Sequence, residues 1–199
     1  MNKPYSESCD QNREPILRVL KPLLSESSSV LEIGSGTGQH AVYFAQKMPH
    51  LTWHTSDCIA YLPGIHMWQQ EAALDNMPHP VELDVTQSNW PENDFDAIFT
   101  ANSVHIMSWR DVVALFSGAG RSLTFDGLFI IYGPFNYDQS YTSDSNERFD
   151  EWLKAHDPQS GIKNFEDLVL LADDAAMTLV DDIEMPANNR ILIWRSLNP

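Results

Sequence analysis

Val30-Leu31-Glu32-Ile33-Gly34-Ser35-Gly36-Thr37-Gly38-Gln39-His40 decides how the rest of the chain is read. An apolar run passes through three glycines at alternate positions, and Ala41, Val42, Phe44, Ala45 and Met48 then supply one face of a helical pattern. The order is strand, tight turn, helix. Glycine permits positive φ and lacks the Cβ that would hold a ligand off the backbone, and the helix opens with free N–H groups. Such a turn receives a nucleotide-like ligand at the carboxyl end of a strand. The same residues would also serve an ordinary strand-to-helix connection.

Spacing and charge narrow the ligand. The pyrophosphate fingerprint is G-x-G-x-x-G, whereas Gly34, Gly36 and Gly38 follow G-x-G-x-G with Glu32 two residues upstream. A carboxylate at the mouth of the loop repels a pyrophosphate and suits an ammonium. S-adenosylmethionine carries a sulfonium and an α-amino group and no phosphate. The E-x-G-x-G-x-G pattern resembles motif I of class I S-adenosylmethionine-dependent methyltransferases, with Glu32, Gly34, Ser35, Gly36 and Gly38 as its cofactor-binding positions.

Composition limits the partners. The 199 residues are 43% hydrophobic and 20% charged, globular values that fit one domain over 1–199. The net charge of −16 comes from 12 basic and 28 acidic side chains without a basic run. A nucleic-acid backbone or an anionic membrane needs clustered Lys and Arg, so both are disfavoured and a small-molecule substrate is expected. Cys9 and Cys58 lack C-x-x-C spacing, which argues neither for a disulfide framework nor for a metal site. Residues Met1–Asp10 hold no apolar signal segment and no run approaches membrane-spanning length, so a cytoplasmic protein is expected.

Upstream of the glycines, residues 1–11 are polar and read as loose until something covers them. Ile16, Leu17, Val19, Leu20, Leu23 and Leu24 form a helical stripe with Pro15 in its first turn and Pro22 near its end. Segment 1–24 is thus an amino-terminal cover and helix. Asn12 and Arg13 either cap that helix or touch the cofactor as the segment folds over it. Downstream, Leu51–Thr55 is the second strand, and Asp57 stands where the ribose diol of an adenosine would arrive, able to accept from both hydroxyls. Segment 63–75 is a helix and 81–86 a third strand containing Asp84. Phe95–Ala101 is an apolar fourth strand of the buried parallel kind.

The fourth strand ends beside the glycine turn in a doubly wound sheet, which turns Asn102 and His105 toward the reacting centre. His105 can act as a base near neutral pH or satisfy a buried backbone group. Ser108 and Asp111 have capping-box spacing at the head of the next helix. Gly127–Pro134 is the fifth strand, preceded by an Asp126-Gly127 turn. Residues 135–163 then break the rhythm with an aromatic and hydrogen-bonding insertion at the sheet's carboxyl edge. It is either a lid over the substrate or a surface excursion packed by its own aromatics. As a lid it offers Tyr141, Asn146 and Arg148 to the substrate, with Tyr132 at its base joining Asn102 and His105 as the catalytic set. Residues 179–185 and 190–195 are two strands joined by Pro186-Ala187-Asn188-Asn189.

The words Asn12-Arg13-Glu14-Pro15-Ile16-Leu17, Leu31–His40, Leu83-Asp84-Val85-Thr86, Tyr132-Gly133-Pro134-Phe135, Ser143-Asp144-Ser145-Asn146-Glu147 and Met185-Pro186-Ala187-Asn188-Asn189 occur in that order. Together they resemble the methyltransferase-like protein 26 family, also called domain of unknown function 938. The resemblance implies an α/β, Rossmann-like class I methyltransferase fold: seven mostly parallel strands, an antiparallel last strand beside the fifth, and helices on both faces. It implies S-adenosylmethionine as cofactor, with S-adenosylhomocysteine as product. It further implies that Asp84 accepts from the adenine amine while the Val85 N–H donates to the ring; a turn aspartate is the plainer reading of Asp84. No substrate comes with the family. A non-catalytic S-adenosylmethionine-binding or protein-partner module is the rival function, and a nicotinamide oxidoreductase is disfavoured by Glu32 and the glycine spacing.

Overall fold

Helix α1 (Glu7–Leu23) precedes an alternation of β1 (Ser29–Ile33), α2 (Gln39–Lys47), β2 (Thr52–Asp57), α3 (Leu62–Ala72), β3 (Val81–Glu82), β4 (Phe95–Ala101), α4 (Trp109–Ser122) and β5 (Leu123–Gly133). Helices α5 (Asp144–His156) and α6 (Phe165–Asp174) and strands β6 (Met177–Met185) and β7 (Asn189–Ser196) complete the chain. The computed structural model describes residues 3–88, 90–91 and 94–198. Of the expected domain, Met1, Asn2 and Pro199 lie outside the described residues, as do Asn89, Glu92 and Asn93.

The strands form one seven-stranded sheet in the order β3-β2-β1-β4-β5-β7-β6. Strand β7 is antiparallel to both β5 and β6, and the other six share one direction. This is the expected Rossmann-like sheet with its last strand reversed beside the fifth. Strand order turns around between β1 and β4, so the crevice for a ligand opens at the glycines that follow β1.

Alternation along the central strands divides the core between the two faces. Phe99 and Ile130 join Ile16, Leu20, Phe44 and Trp53 on one side, while Ile98 and Phe129 join Phe116 and Trp194 on the other. The Phe44 ring lies 5.5 Å from Trp53 and 5.8 Å from Phe99, and Phe116 lies 5.3 Å from Trp194. Truncating any of these to alanine would cost about 3–5 kcal/mol. Among the described residues, no helix is long and apolar enough to cross a membrane.

Three expectations of local structure are corrected. Residues 7–11 are helical, not loose, and Pro15 sits inside α1 where a first-turn position was expected. Polar partners on α2 explain the early start: Ser6 exchanges two hydrogen bonds with the Gln39 side chain, and Asn12 pairs with His40. The third strand stops at Glu82, because Asp84 Oδ1 accepts from the Thr86 N–H (2.9 Å) and hydroxyl (2.8 Å) and bends the chain into a turn. Strand β5 starts directly after α4, and the Asp126-Gly127 turn survives as a bulge. Phe95 pairs with Leu123 but Ala97 with Leu128, and Asp126 between them has φ 65°. The Ser108/Asp111 capping box forms as expected.

Candidate functional site

The glycine loop separates two roles that the spacing alone merges. A Cβ on Gly38 would stand 3.0 Å from the Ile65 Cα of α3, whereas a Cβ on Gly36 would meet nothing within 4 Å. Gly38 therefore closes the loop onto α3, and Gly36 faces open space. Asp57, at the tip of β2, reaches this loop. Its Oδ2 accepts from the Gly36 N–H and its Oδ1 from the Cys58 N–H, each at 2.7 Å. Both oxygens keep lone pairs for a further donor. Burial pushes the Asp57 carboxyl up, against the pull of those two N–H groups.

Glu32 lies beneath the loop with 2% exposure. Its Oε2 accepts from the Ser35 hydroxyl (3.0 Å) and the Trp53 indole N–H (3.1 Å), while Oε1 has no hydrogen-bond partner among the described residues. Burial raises its pKa to about 7; the Trp53 and Ser35 donors oppose the rise, and the Asp57 charge adds to it. Asp84 sits one strand further along, since Asp57 pairs in register with Glu82 and its carbonyl accepts from the Leu83 N–H. The Thr86 donors hold the Asp84 carboxyl below the usual range. Open space at Gly36, the unpartnered Glu32 oxygen and the spare Asp57 lone pairs fit an adenosine joined to a cationic amino-acid end.

The end of β4 borders this cradle. Thr100 Oγ1 donates to the Ile33 carbonyl at 2.8 Å, and a Cβ on Gly34 would lie 2.7 Å from Ser103 Oγ. Asn102 takes the left-handed conformation (φ 58°), and its N–H donates to the Tyr132 carbonyl on β5. From here a cleft of about 610 Å³ extends, with Asn102, His105 and Tyr132 in its wall. Helix α1 supplies Asn12, the insertion supplies Asn146 and Phe149, and the β6–β7 turn supplies Asn189.

His105 is buried against Phe149, ring centroids 5.1 Å apart in an edge contact, and its ring nitrogens have no hydrogen-bond partner among the described residues. Burial, helped by the Lys163 charge, lowers its pKa to about 4. The imidazole is neutral at physiological pH and a weaker base than an ordinary histidine, with its ring nitrogens left to exchange hydrogen bonds with a ligand.

The structure thus gathers Asn12, Asn102, His105, Tyr132 and Asn146 at one cleft, and Gly34, close to Ser103 beside Asn102, links it to the loop that holds Ser35, Glu32 and Asp57. Other candidates lie apart. Arg13 pairs with Asp10 (2.6 Å) and stacks over Tyr43. The Tyr141 hydroxyl donates to Asp150 (2.7 Å), Arg148 is exposed, and neither lines the cleft. Trp53 against Glu32, His40 against Asn12, and Phe149 and Asn189 in the cleft wall adjoin these candidates without having been singled out from the sequence. Of these, Asn189 stood inside the Met185–Asn189 word and His40 inside the Leu31–His40 word, whereas Trp53 and Phe149 carried no signal.

A model of the family described as Protein of unknown function (DUF938) matches residues 3–196. The chain belongs to DUF938. Its fold recurs in solved structures of distant sequence. An O-methyltransferase family protein from Burkholderia thailandensis is 13% identical with a TM-score of 0.78, over 94% of this chain and 59% of that one. The S-adenosylmethionine-dependent methyltransferase SibL, in its apo form, is 19% identical with a TM-score of 0.80, over 96% and 56%. Human N-acetylserotonin methyltransferase, in complex with S-adenosylmethionine, is 13% identical with a TM-score of 0.79, over 96% and 53%. This DUF938 chain spans little more than half the length of these solved chains.

Proposed function

We propose that this DUF938 protein is an S-adenosylmethionine-dependent methyltransferase of a small-molecule acceptor, active in the cytoplasm and allied within DUF938 to methyltransferase-like protein 26. The observation that carries the reading is the meeting of two sites at Gly34: a glycine cradle with two acidic side chains, and a cleft holding a neutral, unpartnered His105. The methyltransferase fold of the solved relatives supports it. Bound in the cradle, S-adenosylmethionine would supply a methyl carbon on a sulfonium, which needs no further activation.

This chain's residues bind, align and exclude water. Glu32 would hold the ammonium end, Asp57 the ribose hydroxyls, and the Gly36 backbone would lie against the ligand with no side chain between. Asp84 and Val85 would meet the adenine from the turn after β3. Asn102 and Tyr132 fix the acceptor between the cradle and His105, and this alignment is the protein's main contribution to rate. His105 accepts a hydrogen bond from the group that takes the methyl and orients it, and the proton leaves to solvent as the new bond to the methyl forms.

Calorimetric titration of the full chain with S-adenosylhomocysteine, and with NAD as control, tests the reading. We expect S-adenosylhomocysteine to bind and NAD not to. Asp57→Ala should weaken S-adenosylhomocysteine by about 1–3 kcal/mol through one or two lost hydrogen bonds. Unchanged affinity in that variant would remove Asp57 from the site, and binding of NAD alone would overturn the reading.

A further inference from the structure

Among the described residues fourteen line the cleft, and none of them is a lysine, arginine, aspartate or glutamate. In a chain of which 20% is charged, such a wall is selective. Three cations near the cleft are engaged elsewhere, and Arg148 on α5 is exposed and does not line it. Arg190 Nε is 2.7 Å from Asp182, Lys154 is 2.5 Å from Asp150, and Lys163 Nζ donates to the Met107 (2.8 Å) and Gly161 (2.7 Å) carbonyls. An anionic acceptor would shed its water inside a protein of net charge −16 without a counter-ion in the wall. A cationic one would find no carboxylate there.

Two carboxamides in the wall, Asn146 and Asn189, have a fixed sense. Asn146 Nδ2 donates to Thr142 Oγ1 (2.9 Å) and to the Asn188 carbonyl (3.2 Å). Asn189 Nδ2 donates to the Pro186 (3.2 Å) and Ala187 (3.4 Å) carbonyls. Backbone carbonyls only accept, so neither amide can be turned around. Both Oδ1 atoms are left without a hydrogen-bond partner among the described residues. The same cleft offers Phe149, Pro134 and Pro186 as apolar surface for a ring.

We propose that the acceptor is an uncharged, ring-bearing molecule that presents N–H or O–H donors to Asn146 and Asn189 besides the group that receives the methyl. A hydroxylated lactam or amide-bearing heteroaromatic has this chemistry; a carboxylate, a phosphate or an alkylamine does not. The inference rests on the methyl-transfer reading and deepens it.

Four compounds of one shape test it on the full-length protein saturated with S-adenosylhomocysteine in metal-free buffer. They are 8-hydroxyquinolin-2-one, its N-methyl derivative, 8-hydroxyquinoline-2-carboxylate and 2-(aminomethyl)quinolin-8-ol, with affinities read by ligand-observed NMR. The neutral lactam should bind at least tenfold more tightly than the other three, because a site built to accept a hydrogen bond rejects the analogue that lacks the donor. In Asn146→Leu or Asn189→Leu the preference for the lactam over its N-methyl derivative should fall toward one. Retained S-adenosylhomocysteine affinity reports that each variant is folded. Equal or tighter binding of a charged member overturns the inference, as does no binding of the lactam or an undiminished preference in both variants. In those cases the methyl-transfer reading still stands. Failure of S-adenosylhomocysteine to bind the wild type removes that reading, and the inference with it.

Discussion

Glu32 is a buried carboxyl whose proton is poised to leave. With its pKa raised to about 7, it is mostly protonated at pH 6 and mostly ionised at pH 8. An ammonium ligand needs the ionised form, so binding below pH 7 must expel the proton. Affinity for S-adenosylhomocysteine should therefore rise about tenfold per pH unit up to 7 and then level. Calorimetry at pH 6 in two buffers of different ionisation enthalpy should find close to one proton released, and none in Glu32→Gln, which should also bind more weakly. A wild type that releases no proton would separate Glu32 from the ligand. The glycines allow a second contrast. Gly38→Ala combines φ 88° with a Cβ 3.0 Å from the Ile65 backbone, so it should lower unfolding stability by about 2 kcal/mol or more. Gly36→Ala has φ 58° but open space, so the fold should lose only about 1–2 kcal/mol of left-handed strain while its methyl intrudes on the ligand. Urea unfolding should single out Gly38→Ala, and S-adenosylhomocysteine affinity should single out Gly36→Ala by a drop of more than tenfold.

Helix α1 has two unlike halves. Ile16 and Leu20 are fully buried in the core against α2 and the sheet, whereas Ser6, Cys9 and Asn12 meet α2 near its first turn through polar contacts. Pro15 divides them, and its missing N–H removes one helical hydrogen bond at the join. Because Ser8, Gln11 and Asn12 also form one wall of the cleft, that wall exists only while the polar half is closed. Amides of residues 7–14 should exchange with solvent at least tenfold faster than those of 17–23, and S-adenosylhomocysteine should slow them. Equal protection of the two halves would make α1 a rigid wall. The halves also mark what could be read from sequence. The apolar stripe after Pro15 is a local pattern and was legible, as were the strand-and-helix alternation, the glycine turn and the Ser108 cap. The polar half was not, since Gln39 and His40 are its partners and lie some thirty residues away. The cleft's Asn189 escaped for the same kind of reason. Only the reversed insertion of β7 beside β5 carries the Pro186–Asn189 turn to the ends of β4 and β5, and no local pattern states which side chains then converge.

Across the whole molecule, the large shifts at His40, His105 and Glu32 bear on the response to acid, and they do not pull the same way. Folding lowers His40 and His105 from 6.5 to about 4, in each case chiefly through burial. Each histidine is protonated in the unfolded chain below pH 6.5 and neutral in the native one until about 4, so the stability it provides is complete above 6.5 and is lost as pH falls through that window. Folding raises Glu32 from 4.5 to about 7, so its contribution is complete below 4.5 and is lost as pH rises toward 7. Between pH 5 and 6, unfolding thus takes up about two protons at the histidines and releases about one from Glu32. The net uptake of about one proton at these three groups contributes a climb in stability with pH of about 1.4 kcal/mol per unit, and His54, whose pKa burial also lowers, adds in the same direction. Glu32→Gln removes the opposing group, so that contribution should roughly double, to about 2.7 kcal/mol per unit. Adding His105→Gln to that variant should bring the contribution back to about 1.4 kcal/mol per unit. Urea unfolding at quarter-unit steps from pH 5 to 6 measures all three slopes. A Glu32→Gln slope no steeper than wild type would mean that the native carboxyl is already ionised in that range. The pH-dependent proton release assigned to ligand binding would then lose its source as well.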